Sequence, residues 1–459
     1  MPLEGAKREH PAFEALYALA LIAVYVGAEF CWDLLGSQPS WRRMIMASFT
    51  ATLAWFAVRA MLPEWPAARR MVLCVAVCTM LNTVAEVRAS ENMSYFGTVH
   101  TGSDDSFYLK SGTRFAELLA ESDSAESYGQ VYESLPDTPH LGFIVLLGHL
   151  LSPGPPDDLS QLRIVVLLNL LVLQCLAGLV IRLGGYRPTE IGTALLLLVI
   201  PGFDLFFFGA AVAKDPVITL LLVALIGQLL LVAATRATFQ RIAWLLVLAA
   251  ALYFMRNFYV LIPPLALVVT RLRSQKGGIL RKILIQGTTA AAVAAVVILV
   301  SGSLWFQQAS VADIWNRKFN ETGWGAQIYN VPVAGPIMYS LISPLPPRLT
   351  DLANGAPWTD LVRSVGTLGI LVLIVTQAVA AARSRSMADK NWRTFLHAGV
   401  LVFLISAYGS LEARHRLAST PCLMICYGMV RRRRRAVQTF YSTRPALPRC
   451  ADLAAVIDL

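Results

Sequence analysis

The stretch LASTPCLMICYGMVRRRRR, residues 417–435, decides how the chain is read. Leu417 to Val430 has the character of a short apolar span, and the arginines that follow it set its direction. Basic residues next to a span are held on the cytoplasmic side, where each gains about 1 kcal/mol from anionic lipid. The C-terminus is therefore expected inside, and residues 431–459 are expected to form a basic cytoplasmic tail. Composition agrees with a membrane reading. The 459 residues are 56% hydrophobic and 15% charged, more apolar surface than soluble domains can hide. The net charge of +10 lies in short stretches between apolar runs. That is the positive-inside pattern of a protein whose partner is a lipid bilayer, and no nucleic-acid partner is expected.

Working backwards from residue 417, apolar runs long enough to span lie near 13–35, 43–62, 69–87, 161–183, 190–209, 217–234, 282–305, 362–382 and 393–409. The first follows Lys7 and Arg8 as a signal peptide would, but it is long and lacks a small-residue cleavage site, so it reads as a retained span. The segment Arg241 to Thr270 is broken at Arg256-Asn257 and at Pro263-Pro264. It is either one kinked helix or a hairpin of two. With a hairpin, the basic loops 383–393, 271–282, 235–241, 182–189 and 63–70 all fall inside. The hairpin is therefore adopted, giving about twelve spans with both termini cytoplasmic; Arg42-Arg43 is the one basic pair left outside. The fold expected is an all-α polytopic transmembrane bundle, one domain over 1–430, with two long outer loops at about 88–139 and 306–361. The run His140 to Leu151 is too short to cross and reads as an interfacial or re-entrant helix.

On this topology the notable polar residues share the outer side. Asp104 and Asp105, in Ser103-Asp-Asp-Ser-Phe-Tyr108, form an adjacent acid pair. Such a pair suits a divalent metal ion or a general base whose pKa its neighbour raises; its plainer reading is a solvated acidic turn. Lys214-Asp215-Pro216 stands where the span near 217–234 begins. Asp before Pro is a good helix cap, while a helix start beside Lys214 also suits an anion. Asp204 is a costly acid within the preceding span. Arg256 lies among aromatics at the hairpin tip, as a snorkelling anchor or a phosphate contact. Arg414 and Arg416, in Glu412-Ala-Arg-His-Arg416, sit on the side that positive-inside depletes, so they either pair with Glu412 or hold a phosphate. Of His140 and His149, which flank the short helix, only His140, next to Pro139, is placed near the first outer loop. The pairs Cys74/Cys78 and Cys422/Cys426 lie one turn apart in apolar helices without histidines, which is core packing and not a metal site.

Taken in order, Asp104-Asp105-Ser106-Phe107-Tyr108, the Pro136 to Leu151 region, Lys214-Asp215-Pro216, and Arg414-His415-Arg416 with Pro421 resemble the motifs of the GT-C class of polytopic glycosyltransferases. Within it, the nearest likeness is to bacterial lipid-linked sugar transferases related to protein mannosyltransferases and aminoarabinose transferases. The resemblance covers roughly 90 to 430. It implies a polyprenyl-phosphate-linked sugar as donor, arriving laterally from the membrane, and a glycan, lipid or protein acceptor in an outer cavity, in cell-envelope glycan assembly. It further implies Asp104 as general base, Asp105 as its neighbour or a metal ligand, and Asp215 as a second acid of the site. Arg256, Arg414 and Arg416 would hold the lipid phosphate, with Tyr108, His140 and Lys214 among the substrate-binding residues. The chain departs from the class in having three spans before the acidic loop, and His415 where Tyr is common. Two other readings stand beside it: a surface-polysaccharide polymerase or ligase, which leans on arginines and needs no acid pair, and a transporter or flippase of lipid-linked glycans.

Overall fold

A computed structural model describes residues 11–33, 41–91, 104–121, 141–152, 158–235, 238–273, 358–383, 391–406 and 417–443. In chain order the helices are α1 (Pro11–Asp33), α2 (Trp41–Met61), α3 (Ala67–Glu91), α4 (Asp104–Glu121), α5 (Leu141–Leu151) and α6 (Asp158–Gly184). A 3₁₀ turn, Pro188–Glu190, opens into α7 (Ile191–Val199), followed by α8 (Phe203–Gly209), α9 (Asp215–Ala234) and α10 (Phe239–Met255). Then come α11 (Ile262–Arg273), α12 (Trp358–Arg383), α13 (Asn391–Ile405) and α14 (Ser419–Thr443). The regular structure of the described residues is all helix, with no strand among them. Five of these helices are long and apolar enough to cross a membrane: α1, α2, α3, α6 and α9. The expected span at 282–305 and nearly all of the loop 306–361 lie outside the described residues.

α6 is the centre of the bundle. Its apolar run carries three polar side chains that are fully buried, two of them bonded to α1 and α3 and the third to the end of α8 and the segment after it. Arg163 donates from Nε and Nη2 to Glu29 Oε1 of α1 at 2.8 and 2.6 Å, and from Nη1 to Asn82 Oδ1 of α3 at 2.6 Å. About three turns on, and so on the same face, Gln174 donates to the Tyr25 hydroxyl at 3.1 Å and the Cys74 carbonyl at 2.7 Å. Asn169, on another face, donates to the carbonyls of Gly209 (2.9 Å) and Ala211 (3.2 Å). Lipid is as apolar as leucine, so helices in a membrane associate through close packing and bonds of this kind, each worth about 0.6 kcal/mol and up to about 1.7. Small residues supply the packing where α2 meets its neighbours, with Ala47, Ala51 and Ala54 all buried. The free cysteines Cys74, Cys78, Cys422 and Cys426 are buried among apolar side chains, as their spacing predicted.

The segment 239–273 is two helices, α10 and α11, and not one. The break falls at Arg256, extended at φ −164° and ψ 95°, and a 3₁₀ stretch Asn257–Leu261 leads into α11. Both helices pack against α9, whose head lies at the Arg256 break. The run expected as a single span at 190–209 is different. It is broken between Val199 and Phe203, and α7 and α8 meet at 63°. Pro201 cannot continue the hydrogen-bond ladder and Gly202 follows it, so a run apolar enough to cross becomes two short helices instead.

Arg42, out of place by the positive-inside rule, has a structural duty. Its Nη2 donates to the carbonyls of Leu150 (3.2 Å) and Ser152 (2.7 Å), serving the end of α5, where four carbonyls have no partner in the helix.

The expected loop 88–139 is not all loop, because it contains α4, which packs tightly against α5. A Cβ placed on Gly148 would lie 2.2 Å from Phe115 Cδ1, and one on Gly112 would lie 2.8 Å from Leu147 Cβ. The Phe115 ring also meets His149 edge-on at 5.8 Å. Gly148→Val is expected to push α4 off α5 and to destabilise the pair by about 1–3 kcal/mol. Faster amide exchange over 104–121, with α6 and α9 unchanged, is the measurement that checks it.

Candidate functional site

The site is built where α8 hands over to α9. Beyond Gly209 the chain runs through Ala210–Ala213, four buried residues outside any helix, and Asn169 holds this segment by its carbonyls. α9 then opens at Asp215, with Pro216 in its first turn, where a missing N–H costs nothing. Lys214 occupies the cap position and makes no side-chain cap bond. Asp215 is thus the first helical residue and not the cap that Asp-Pro promised. Its carboxylate faces Arg256 instead, with Nη1 3.5 Å from Oδ1. Asp215 is buried and Arg256 nearly so, and the guanidinium is turned to this acid. The guanidinium carbon also lies 5.5 Å from the centre of the buried Tyr259 ring.

Lys214 is only 2% exposed. Its Nζ lies 5.5 Å from the centre of the Tyr108 ring, which is equally buried and stands edge-on to Phe143 of α5 at 5.1 Å. An ammonium over an aromatic face is worth about 2 kcal/mol or more when both are out of water. This contact ties α4 to the head of α9. Tyr108 lies one helical turn after Asp104, so the acid pair heads the same helix that Lys214 secures. In α8, Asp204 accepts from Arg363 Nε of α12 at 2.9 Å, and the Arg363 guanidinium lies 4.2 Å from the Phe207 ring centre and 5.3 Å from that of Phe208.

Lys214 on Tyr108 and Arg256 on Asp215 stand at the head of α9, and Arg363 on Asp204 makes a separate buried ion pair in α8. Cations held by acids and aromatic faces away from water are suited to an anion such as a phosphate. Of the residues singled out from sequence, Tyr108 and Lys214 meet each other, and Asp215 meets Arg256. Asp104 and Asp105 begin α4, and their side chains are outside what the structure describes, as are His140, Arg414 and Arg416 altogether. Among the described residues no three His, Cys, Asp or Glu side chains group as metal ligands would. Arg363 and Tyr259 were not singled out from sequence. The signal for Arg363 was available: it is a cation in the first turns of an apolar run, which is costly unless an acid meets it.

No family model matches the chain, and no curated protein or solved structure matches it significantly.

Proposed function

We propose that this chain is a polytopic membrane glycosyltransferase of the GT-C kind, which moves a sugar from a polyprenyl-phosphate-linked donor to an acceptor on the outer face of the membrane. In this reading it has about twelve spans, both termini are cytoplasmic, and α5 lies at the outer interface. The observation that carries the proposal is the buried Asp215–Arg256 pair at the head of an apolar helix, with Lys214 beside it on Tyr108. Residues far apart in sequence supply cations and acids at one place bordered by apolar helices, as a charged headgroup on a lipid tail requires. Asp104 takes the proton from the acceptor hydroxyl as its oxygen bonds to the anomeric carbon. The bond from that carbon to the phosphate oxygen breaks, and the electron pair leaves with the lipid phosphate. Arg256, Arg414 and Arg416 receive this charge, a form of stabilisation that fixed cations provide without reorganising. Asp215 keeps Arg256 aimed. Asp105 stands beside the base, or holds a divalent metal ion.

The test is turnover of a panel of polyprenyl-phosphate sugars by purified protein in lipid. Sugar transferred or released supports the proposal. A second reading has one observation in its favour: broken helices are characteristic of transporters, and α7 and α8 form such a pair with Asp204 just past the break. Absence of turnover, with passage of a lipid-linked glycan across vesicles, would replace the transferase with a flippase.

A further inference from the structure

At the far end of α6 the chain makes a second charged assembly, independent of the site above. The turn after α6 runs through Gly185, at φ +67°, a left-handed conformation that costs any other residue. Tyr186 follows, buried, and its hydroxyl donates to the Met424 carbonyl of α14 at 2.8 Å. Burial pushes the Tyr186 phenol up, so it keeps this proton at any physiological pH. Glu190 ends the turn. Its Oε2 accepts from the Arg187 backbone N–H at 3.0 Å, and its Oε1 lies 3.3 Å from Arg431 Nε and 2.5 Å from Arg435 Nη2. Arg431 also donates to Thr193 Oγ1 at 3.2 Å. α14 runs without a break from its buried apolar half through these arginines to Thr443. Arg431 and Arg435, one turn apart, are therefore clamped on a single buried acid.

The clamp fixes the residues around it. Arg432 lies against the turn, its Cδ 2.9 Å from where a Cβ on Gly185 would stand, and its side chain is exposed. Arg182, in the last turn of α6, and Arg187 are exposed as well. Both helices that deliver these arginines are apolar up to this level, so the guanidinium groups stand where the hydrocarbon ends. Arginine forks at that depth, around a rigid turn with Glu190 as the acid it contains, match a phosphodiester in shape and charge.

We infer that the turn 182–190 and the arginines of α14 form a binding site for the headgroup of an anionic phospholipid, with Arg182, Arg187 and Arg432 as its contacts and Glu190 as the positioning residue. The site is more than a basic surface, and Glu190 separates the two ideas. Glu190→Gln adds a positive charge to this face, so diffuse attraction would strengthen lipid binding. A built site predicts weaker binding, because Arg431 and Arg435 lose their anchor and α14 its register on the turn.

The experiment is native mass spectrometry of the full chain released from mixed phosphatidylglycerol and phosphatidylcholine. Wild type is expected to retain phosphatidylglycerol selectively, and inorganic phosphate is expected not to displace it. Arg432→Ala, an exposed change that leaves the clamp intact, should weaken retention about fivefold. Glu190→Gln should lower the selectivity, and Arg69→Ala, an exposed charge on α3, should leave it unchanged. Equal retention of the two lipids by wild type would overturn the inference. So would displacement by inorganic phosphate, tighter retention by Glu190→Gln, or an equal loss in Arg69→Ala and Arg432→Ala.

Discussion

Asp104→Asn is expected to lower sugar transfer by about 10²–10⁴-fold, the usual contribution of a general base. The substitution keeps the shape of the side chain and the start of α4, and removes only the ability to accept a proton. Binding of the donor should persist, because the cations proposed to hold its phosphate are untouched, so the loss should fall on the turnover rate and not on half-saturation. Thermal unfolding should match wild type. A variant that transfers sugar at the normal rate would take Asp104 out of the chemistry. Arg256 makes a poorer first test, since its removal leaves Asp215 buried without its partner and confuses catalysis with folding.

The largest effect on stability is expected at Arg163. This side chain is fully buried, and it alone joins Glu29 of α1 to Asn82 of α3. Arg163→Leu leaves a buried carboxylate with no cation, which costs about 3–5 kcal/mol. That is a large share of a typical protein's stability, which totals only about 5–15 kcal/mol. The double variant Glu29→Leu/Arg163→Leu removes both charges and should recover most of the loss. Denaturant unfolding in mixed micelles checks both. If the double variant is as unstable as the single, the pair acts through shape and not through charge.

How much of this was legible in the sequence depends on what each feature needs. The long helices announce themselves, because an apolar run of about 20 residues has few other uses. The break at Arg256 was visible as a polar Arg256-Asn257 step inside an apolar run. The break at Pro201-Gly202 was passed over because the residues around it are apolar throughout, and hydropathy averages across a bend. The same averaging hid Arg163, Asn169 and Gln174, whose roles appear only when Glu29, Gly209 and Tyr25 are brought beside them. In the site, Tyr108, Lys214, Asp215 and Arg256 stood out singly by residue type and position. Their pairing did not, since Lys214 finds Tyr108 and Asp215 finds Arg256 only through the packing of α4 and of α10 and α11 on α9. The anion site at the turn 182–190 had one visible half, the arginine run; Glu190 stood at the edge of an apolar run, and its role shows only where α14 lies across it.

The bond between Glu29 and Arg163 also sets a schedule for biogenesis. The two residues are 134 positions apart, so a ribosome making about 5–20 residues per second delivers Arg163 roughly 7–27 s after Glu29. By the end of that interval α1 to α3 have left the ribosome, while Glu29 still has no countercharge from α6. A nascent chain halted before residue 163 should keep its first helices within reach of the insertion machinery, where water and polar protein groups can solvate the acid. Release into lipid should follow the emergence of α6.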